Sequence, residues 1–171
     1  MTQKGVNTVT VVVTGLAWIG RGTRSIDSAI EEMLTDATDE IQVAAYMITK
    51  GAEDFIKLIG ECLSRGVRVT LIVNRFRKQP QEIQHMIVQL ARQHPHFKLL
   101  EFDPKDKNED LHAKSIVVDR SKALVGSPNL SWKGFVLNHE LAVVVEGPAA
   151  ARIGNLLDLL AKDSRTSEVE F

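Results

Sequence analysis

The hydrophobic positions of this chain fall into short continuous runs separated by helical stripes. Val9 to Val13 is a β-branched run that predicts a strand, and Ser25 stands where it can cap a helix whose Ile26, Ala29, Ile30, Met33, Leu34 and Ala37 share one face. Ile41 to Ile48 reads as a buried strand. The stripe Phe55, Leu58, Ile59, Cys62 and Leu63 then marks a helix that Gly66 ends. Val67 to Val73 is the next strand, Pro80 opens a helix with Ile83, Met86, Ile87 and Leu90 inward, and Phe97 to Phe102 returns as a strand. Strands alternating with helices imply parallel pairing. From Leu111 the rhythm changes. Short strands at Ser115 to Val118 and Ala123 to Gly126 flank the turn Asp119-Arg120-Ser121-Lys122, and Leu141 to Val145 follows, so this part is expected to be hairpin-like. Pro148 begins a last helix with Ile153, Leu156, Leu157 and Leu160, and the polar residues 162–171 are expected to fray. The pattern predicts one α/β domain over residues 1–171, with a mixed, largely parallel central sheet flanked by helices on both faces.

Composition narrows the partners. With 171 residues, of which 44% are hydrophobic, the chain can bury one substantial core. Its 21 basic and 22 acidic residues leave a formal net charge of -1, which excludes binding of nucleic acid through bulk positive charge; an anionic substrate must be met by local patches. Cys62 is the sole cysteine, so no intrachain disulfide is expected, and its apolar helical setting suits a small core residue. The run Val9 to Ile19 has the length of a signal-peptide core, but Thr10 and Thr14 interrupt it and no small-residue cleavage site follows, so a cytoplasmic location is expected. No stretch approaches the roughly 20 apolar residues of a membrane span.

Several motif-like patterns have ordinary explanations. Gly15-x4-Gly20-Arg21-Gly22-Thr23 has arginine where a phosphate-binding P-loop needs lysine, and a flexible turn leading to Ser25 accounts for its glycines. His139-Glu140 lacks the second histidine of a zinc protease, Glu82-x-x-His85 is a single copy, and His94-Pro95-His96 has no identifiable third ligand, so no metal site is assigned. Arg75-Phe76-Arg77-Lys78 follows a parallel strand, at the end of the sheet where α/β proteins bind ligands. It reads equally as a phosphate patch or a solvated loop.

The chemistry is concentrated farther along. Leu111-His112-Ala113-Lys114 opens a strand, and the two-residue side-chain period puts His112 and Lys114 on one face. A nucleophile or proton carrier thus lies beside a fixed positive charge. Gly126-Ser127-Pro128-Asn129 ends the next strand with a hydroxyl and an amide, both suited to phosphoryl oxygens, and Glu140 opens another strand as a possible partner for an imidazole.

Through His112-x-Lys114-x4-Asp119-x6-Gly126-Ser127-x-Asn129 and Asn138-x-Glu140, the chain resembles the phospholipase D superfamily. The resemblance implies a two-step transfer at phosphorus without cofactor or metal: one histidine attacks to form a phosphohistidine, a second protonates the leaving oxygen, and water or another alcohol releases the product. It implies that Lys114 and Asn129 stabilise the phosphoryl oxygens with help from Ser127, that Glu140 orients a histidine, and that Asp119 and Gly126 are structural members of the motif. The family's site uses two copies of the motif and this chain carries one; His139, for instance, has Leu141 where the lysine would stand. A homodimer through the motif face is therefore expected.

Single-motif members resemble nucleases more often than lipases, which favours a nucleic-acid substrate. Arg75, Arg77, Lys78 and Lys133 are the candidate contacts to its backbone, with Lys105, Lys107, Arg120 and Lys122 as further local charges. Trp132 is a candidate for stacking on a base, its alternative being a core or dimer-interface aromatic. Two rival readings remain: a phospholipase or transphosphatidylase acting on lipid, and a catalytically silent nucleic-acid-binding dimer within a defence or restriction complex.

Overall fold

The computed structural model describes residues 5–106 and 108–170, so Lys107 and Phe171 lie outside it. Nine strands and four α-helices follow one another as β1 (Thr8–Thr14), β2 (Arg24–Ser25), α1 (Ile26–Thr35), β3 (Glu40–Ala45), α2 (Glu53–Ser64), β4 (Arg68–Asn74), α3 (Gln81–Gln93), β5 (Phe97–Phe102), β6 (Ser115–Val118), β7 (Lys122–Gly126), β8 (Glu140–Glu146), α4 (Pro148–Ala161) and β9 (Thr166–Glu168). The strands form one sheet in the order β2-β1-β8-β7-β6-β3-β4-β5-β9. Parallel pairing joins β3 to β4, β4 to β5 and the two-residue β2 to β1. The remaining neighbours are antiparallel. The sheet is mixed as expected, though antiparallel pairings outnumber parallel ones five to three among the described residues, the parallel run β3-β4-β5 being the part where strands alternate with helices.

Residue parity along β3 shows how the layers are built. Ile41, Val43 and Ala45 point into the large core that α1, α2 and α3 close, while Ala44 meets Val117, Ala123, Ala150 and Leu157 on the α4 side. Helices therefore cover both faces. Phe76, in the 3-10 turn Phe76–Lys78 after β4, is only 1% exposed. Burying a side chain of that kind is worth about 2–3 kcal/mol. Ser25 caps α1 as expected, its hydroxyl accepting from Ser28 N–H at 3.2 Å.

The polar tail needs correction. Residues 162–171 were expected to fray, yet β9 pairs antiparallel with β5, and Val169 donates to Leu99 O at 3.1 Å with only 6% of its surface exposed. The Arg165 guanidinium binds Asp163 and Glu109 and lies 5.3 Å from the centre of the Phe102 ring. Those bonds hold the carboxyl of Asp163 at about 2. Backbone pairing and these contacts order a segment that has no hydrophobic period of its own.

Chain direction decides where function can gather. The C-terminal end of β3, the start of β6, the end of β7 and the start of β8 all lie at the same edge of the sheet, because Ala44 pairs with Ser115, Ser115 with Val125, and Gly126 with Ala142. The end of β4 lies there too, beside Ala45.

Candidate active site

At that edge, residues 111–114 precede β6 rather than opening it as expected, and His112 and Lys114 lie side by side. The Lys114 ammonium is 3.2 Å from His112 Nδ1 and 3.4 Å from Nε2, and it donates to the His112 carbonyl at 2.8 Å. The shared face expected from their spacing is therefore observed. Burial of the ammonium, only partly offset by the attraction of Glu140, holds Lys114 below the ordinary lysine range. A partly buried lysine at this position is a positive charge that a phosphoryl oxygen in transfer can use.

The neighbouring strands supply the rest. Gly126 N–H donates to Lys114 O at 3.3 Å, and no side chain would fit at Gly126 because Ala142 lies directly across from it on β8. The close approach that glycine permits brings the residues after β7 against Glu140. Ser127 donates its hydroxyl to Glu140 Oε2, Asn138 Nδ2 donates to Glu140 Oε1 at 3.1 Å, and Leu141 N–H donates to Ser127 Oγ at 3.2 Å. Among the described residues no histidine hydrogen-bonds to Glu140. The amide oxygen of Asn129 is buried and has no hydrogen-bond partner among them either. Such an unpaired group costs stability where it sits.

Asp119, at the other end of β6, touches none of this. Its carboxylate accepts from Thr38 N–H, Thr38 Oγ1, Asp39 N–H and Glu40 N–H, each at 2.9 Å. Partial burial alone would raise its carboxyl, but those bonds outweigh it and hold the group below the usual carboxylate range. Asp119 itself has a φ of 49°. Arg120 and Lys122 share this far end, bound to Glu40 and Asp158 and to Asp36, so they lie away from the His112 edge.

The basic run after β4 divides. Arg75 takes a left-handed conformation, φ 43°, and its guanidinium binds Asp103 at 3.0 Å, Asp110 at 3.2 Å and Glu109 O at 2.9 Å. A candidate contact to substrate by its sequence position, Arg75 in the structure ties Asp103, Glu109 and Asp110 to the end of β4. Asn74 also donates to Asp110, at 3.2 Å, and that bond, joined by Arg75 and opposed by burial, holds Asp110 below the usual carboxylate range. Arg77 is paired with Glu101, which is 2% exposed. Lys78 lines a surface hollow with Tyr46, Asn74 and Asp110. Trp132 and Lys133 are exposed and line a second hollow that includes Asn129 and Glu140.

Two features escaped the sequence. Tyr46, just past β3, lies against the nucleophile candidate: its ring is 4.6 Å from the His112 imidazole centre, and the Lys114 ammonium is 5.1 Å from the centre of its ring. The signal was its place as the last residues of a buried strand run turn polar at the ligand end of the sheet. The second is the π-helical turn Lys133–Leu137, closed by Asn138 N–H donating to Lys133 O at 2.7 Å. Five residues are too few to show a period.

Comparison with known proteins agrees with this geometry. A family model described as "Cardiolipin synthase, PLD-like domain" matches residues 30–156. DISARM protein DrmC of Bacillus paralicheniformis is 30% identical over 142 residues, covering 82% of this chain and 58% of that one. Cardiolipin synthase A of Erwinia tasmaniensis is 31% identical over 109 residues, covering 62% of this chain and 21% of that one. The chain thus spans less than two thirds of the length of these curated relatives. Among solved structures, the phospholipase D family member Nuc from Salmonella typhimurium superposes with a TM-score of 0.76 at 20% identity, covering 97% of this chain and all of that one. NucT from Helicobacter pylori gives 0.73 at 18% identity, covering 98% of this chain and all of that one. The extent of the family match, over a fold these structures share, shows that the chain belongs to the phospholipase D superfamily.

Proposed function

We propose that the protein is a metal-independent phosphodiesterase that cleaves nucleic acid through a phosphohistidine, in a site completed by a second copy of the chain. The observation that carries this reading is the His112–Lys114 contact at the edge where Ser127, Asn129 and Glu140 also end. In the first step an imidazole nitrogen of His112 attacks phosphorus, the P–O bond to the leaving group breaks, and an imidazolium from the second copy gives its proton to the leaving oxygen. In the second step that imidazole takes a proton from water as the oxygen attacks phosphorus and the P–N bond breaks. Lys114, Asn129 and Ser127 hold the charge on the phosphoryl oxygens meanwhile.

Two observations support the second copy. Glu140 has no imidazole to orient among the described residues of its own chain, so the histidine of a partner is the group left to occupy that role. In addition, Val9, Val11, Val125 and Leu141 are 58%, 49%, 36% and 50% exposed on the α4 side of the sheet, an apolar patch that runs up to the motif edge. A twofold packing of this patch on itself would bring two motif edges together.

For the substrate, the similarity in fold to Nuc and NucT and the relation to DrmC support nucleic acid and a defence setting. A lipid reading also has an observation behind it. Leu16, Trp18 and Ile19 are 91%, 36% and 49% exposed in the loop after β1, and that loop is tied to the site edge by Ala17 N–H donating to His139 Nε2 at 3.2 Å. Such a tip suits a lipid interface, and cardiolipin synthase A is among the relatives. The deciding experiment assays wild type and His112→Ala on a single-stranded oligonucleotide, on cardiolipin vesicles and on a chromogenic phosphodiester, with and without EDTA. Oligonucleotide cleavage that survives EDTA and depends on His112 is expected. Cleavage of vesicles alone would move the assignment to lipid, and loss in EDTA restored by a divalent metal would refute the mechanism.

A further inference from the structure

The hollow beside Asn129 and Glu140 has a volume of about 720 Å3, within the range of small-ligand sites. One wall is Trp132 and the π-helical turn that follows it; the other is the segment from Met47 to Gly51. Trp132, Leu137 and Met47 are 52%, 57% and 41% exposed there. The indole is nevertheless carried on fixed backbone. Trp132 N–H donates to Lys50 O at 2.9 Å, and the main chain of Trp132 occupies the space a side chain at Gly51 would need. Presenting a large aromatic face this way costs little ordering when a ligand arrives.

The chemistry of the lining selects among occupants. Lys50 and Lys133 are balanced by Glu53 and Glu140, so a further phosphate gains little inside the hollow, whereas a neutral flat group gains the indole face. A hydrocarbon chain would cover the polar groups of Glu53, Asn138 and Glu140 that line the hollow without offering them a hydrogen bond. A heterocyclic base can offer an N–H from its edge while its ring stacks. Because Asn129 and Glu140 belong to both the hollow and the catalytic edge, that base adjoins the reacting phosphate.

We infer that this hollow is the subsite for one nucleobase next to the scissile linkage, stacked on Trp132. The inference rests on the nucleic-acid reading given above and adds the contact through which the strand is positioned.

The test combines protein and substrate changes. Wild type, Trp132→Phe and Trp132→Ala are assayed for kcat/KM on a single-stranded oligonucleotide, and on versions carrying one abasic residue at successive positions around the cleaved linkage. On the intact strand Trp132→Ala is expected to lose roughly 5- to 150-fold, the worth of one base stack, and Trp132→Phe to keep most of the rate. At one position the abasic residue should cost wild type a similar factor and cost Trp132→Ala nothing more. Should Trp132→Ala not fold, Trp132→Leu, which keeps apolar bulk without an aromatic face, is used with the same expectation. Losses that multiply at every position would overturn the base subsite while leaving nucleic-acid cleavage standing. Wild type that cleaves a chromogenic diester but no oligonucleotide would overturn both.

Discussion

The two ends of β6 carry the two halves of the motif and treat their polar groups in opposite ways. At the far end Asp119 receives four hydrogen bonds at 2.9 Å, and its neighbours Arg120 and Lys122 are closed into ion pairs. At the near end Lys114 touches an imidazole rather than a carboxylate, and the Asn129 amide oxygen has no partner among the described residues. A saturated cluster can only hold the fold. An unsaturated one, kept in place by the saturated cluster behind it, has capacity left for a ligand. The latch formed by Arg75 belongs with the first kind, although its sequence position beside the ligand end of the sheet suggested the second.

This contrast is broken most severely at His112. His112→Ala is expected to lower kcat by about a thousandfold or more while leaving thermal unfolding near that of wild type, since the imidazole is exposed. Asp119→Ala should do the reverse. It strands the donors of Thr38, Asp39 and Glu40 and is expected to cost about 2–3 kcal/mol of stability, measured by urea unfolding, with activity retained per folded molecule. The pH dependence has a definite sign. Because the folded state holds the Asp119 carboxyl below its ordinary value in the unfolded chain, its stabilisation is present above that ordinary value and disappears as pH falls through the lower, folded one. The difference between wild type and Asp119→Ala should therefore shrink below about pH 4.

A smaller effect is expected at Tyr46, whose ring borders both His112 and Lys114. Tyr46→Ala frees the imidazole to rotate and opens the ammonium to water, and should lower kcat by about tenfold with little change in KM. Tyr46→Phe keeps the ring and should keep the rate. Equal losses in the two variants would show that the hydroxyl, not the ring face, is what matters.

Much of this arrangement was legible in the sequence where one physical signal dominated. The strands Phe97–Phe102 and Ser115–Val118 have the bounds the sequence predicts, because the apolar residues that dominate each stop at polar or turn-forming neighbours. His112 and Lys114 meet as their spacing suggested, although they precede β6 and do not belong to it. What failed to show was structure made by partners distant in sequence. The two residues of β2 and the polar β9 become strands through backbone pairing to β1 and β5. The pairing of Arg75 with acidic groups roughly thirty residues downstream was likewise hidden, because only the fold sets their position.

One chain is proposed to supply half of a shared catalytic site. Wild-type and His112→Ala chains are unfolded together, refolded at constant total concentration over a range of ratios, and assayed on the chromogenic diester. If both histidines of a dimer are required, activity follows the square of the wild-type fraction. A linear dependence would show that each chain carries a complete site of its own, and would contradict the account.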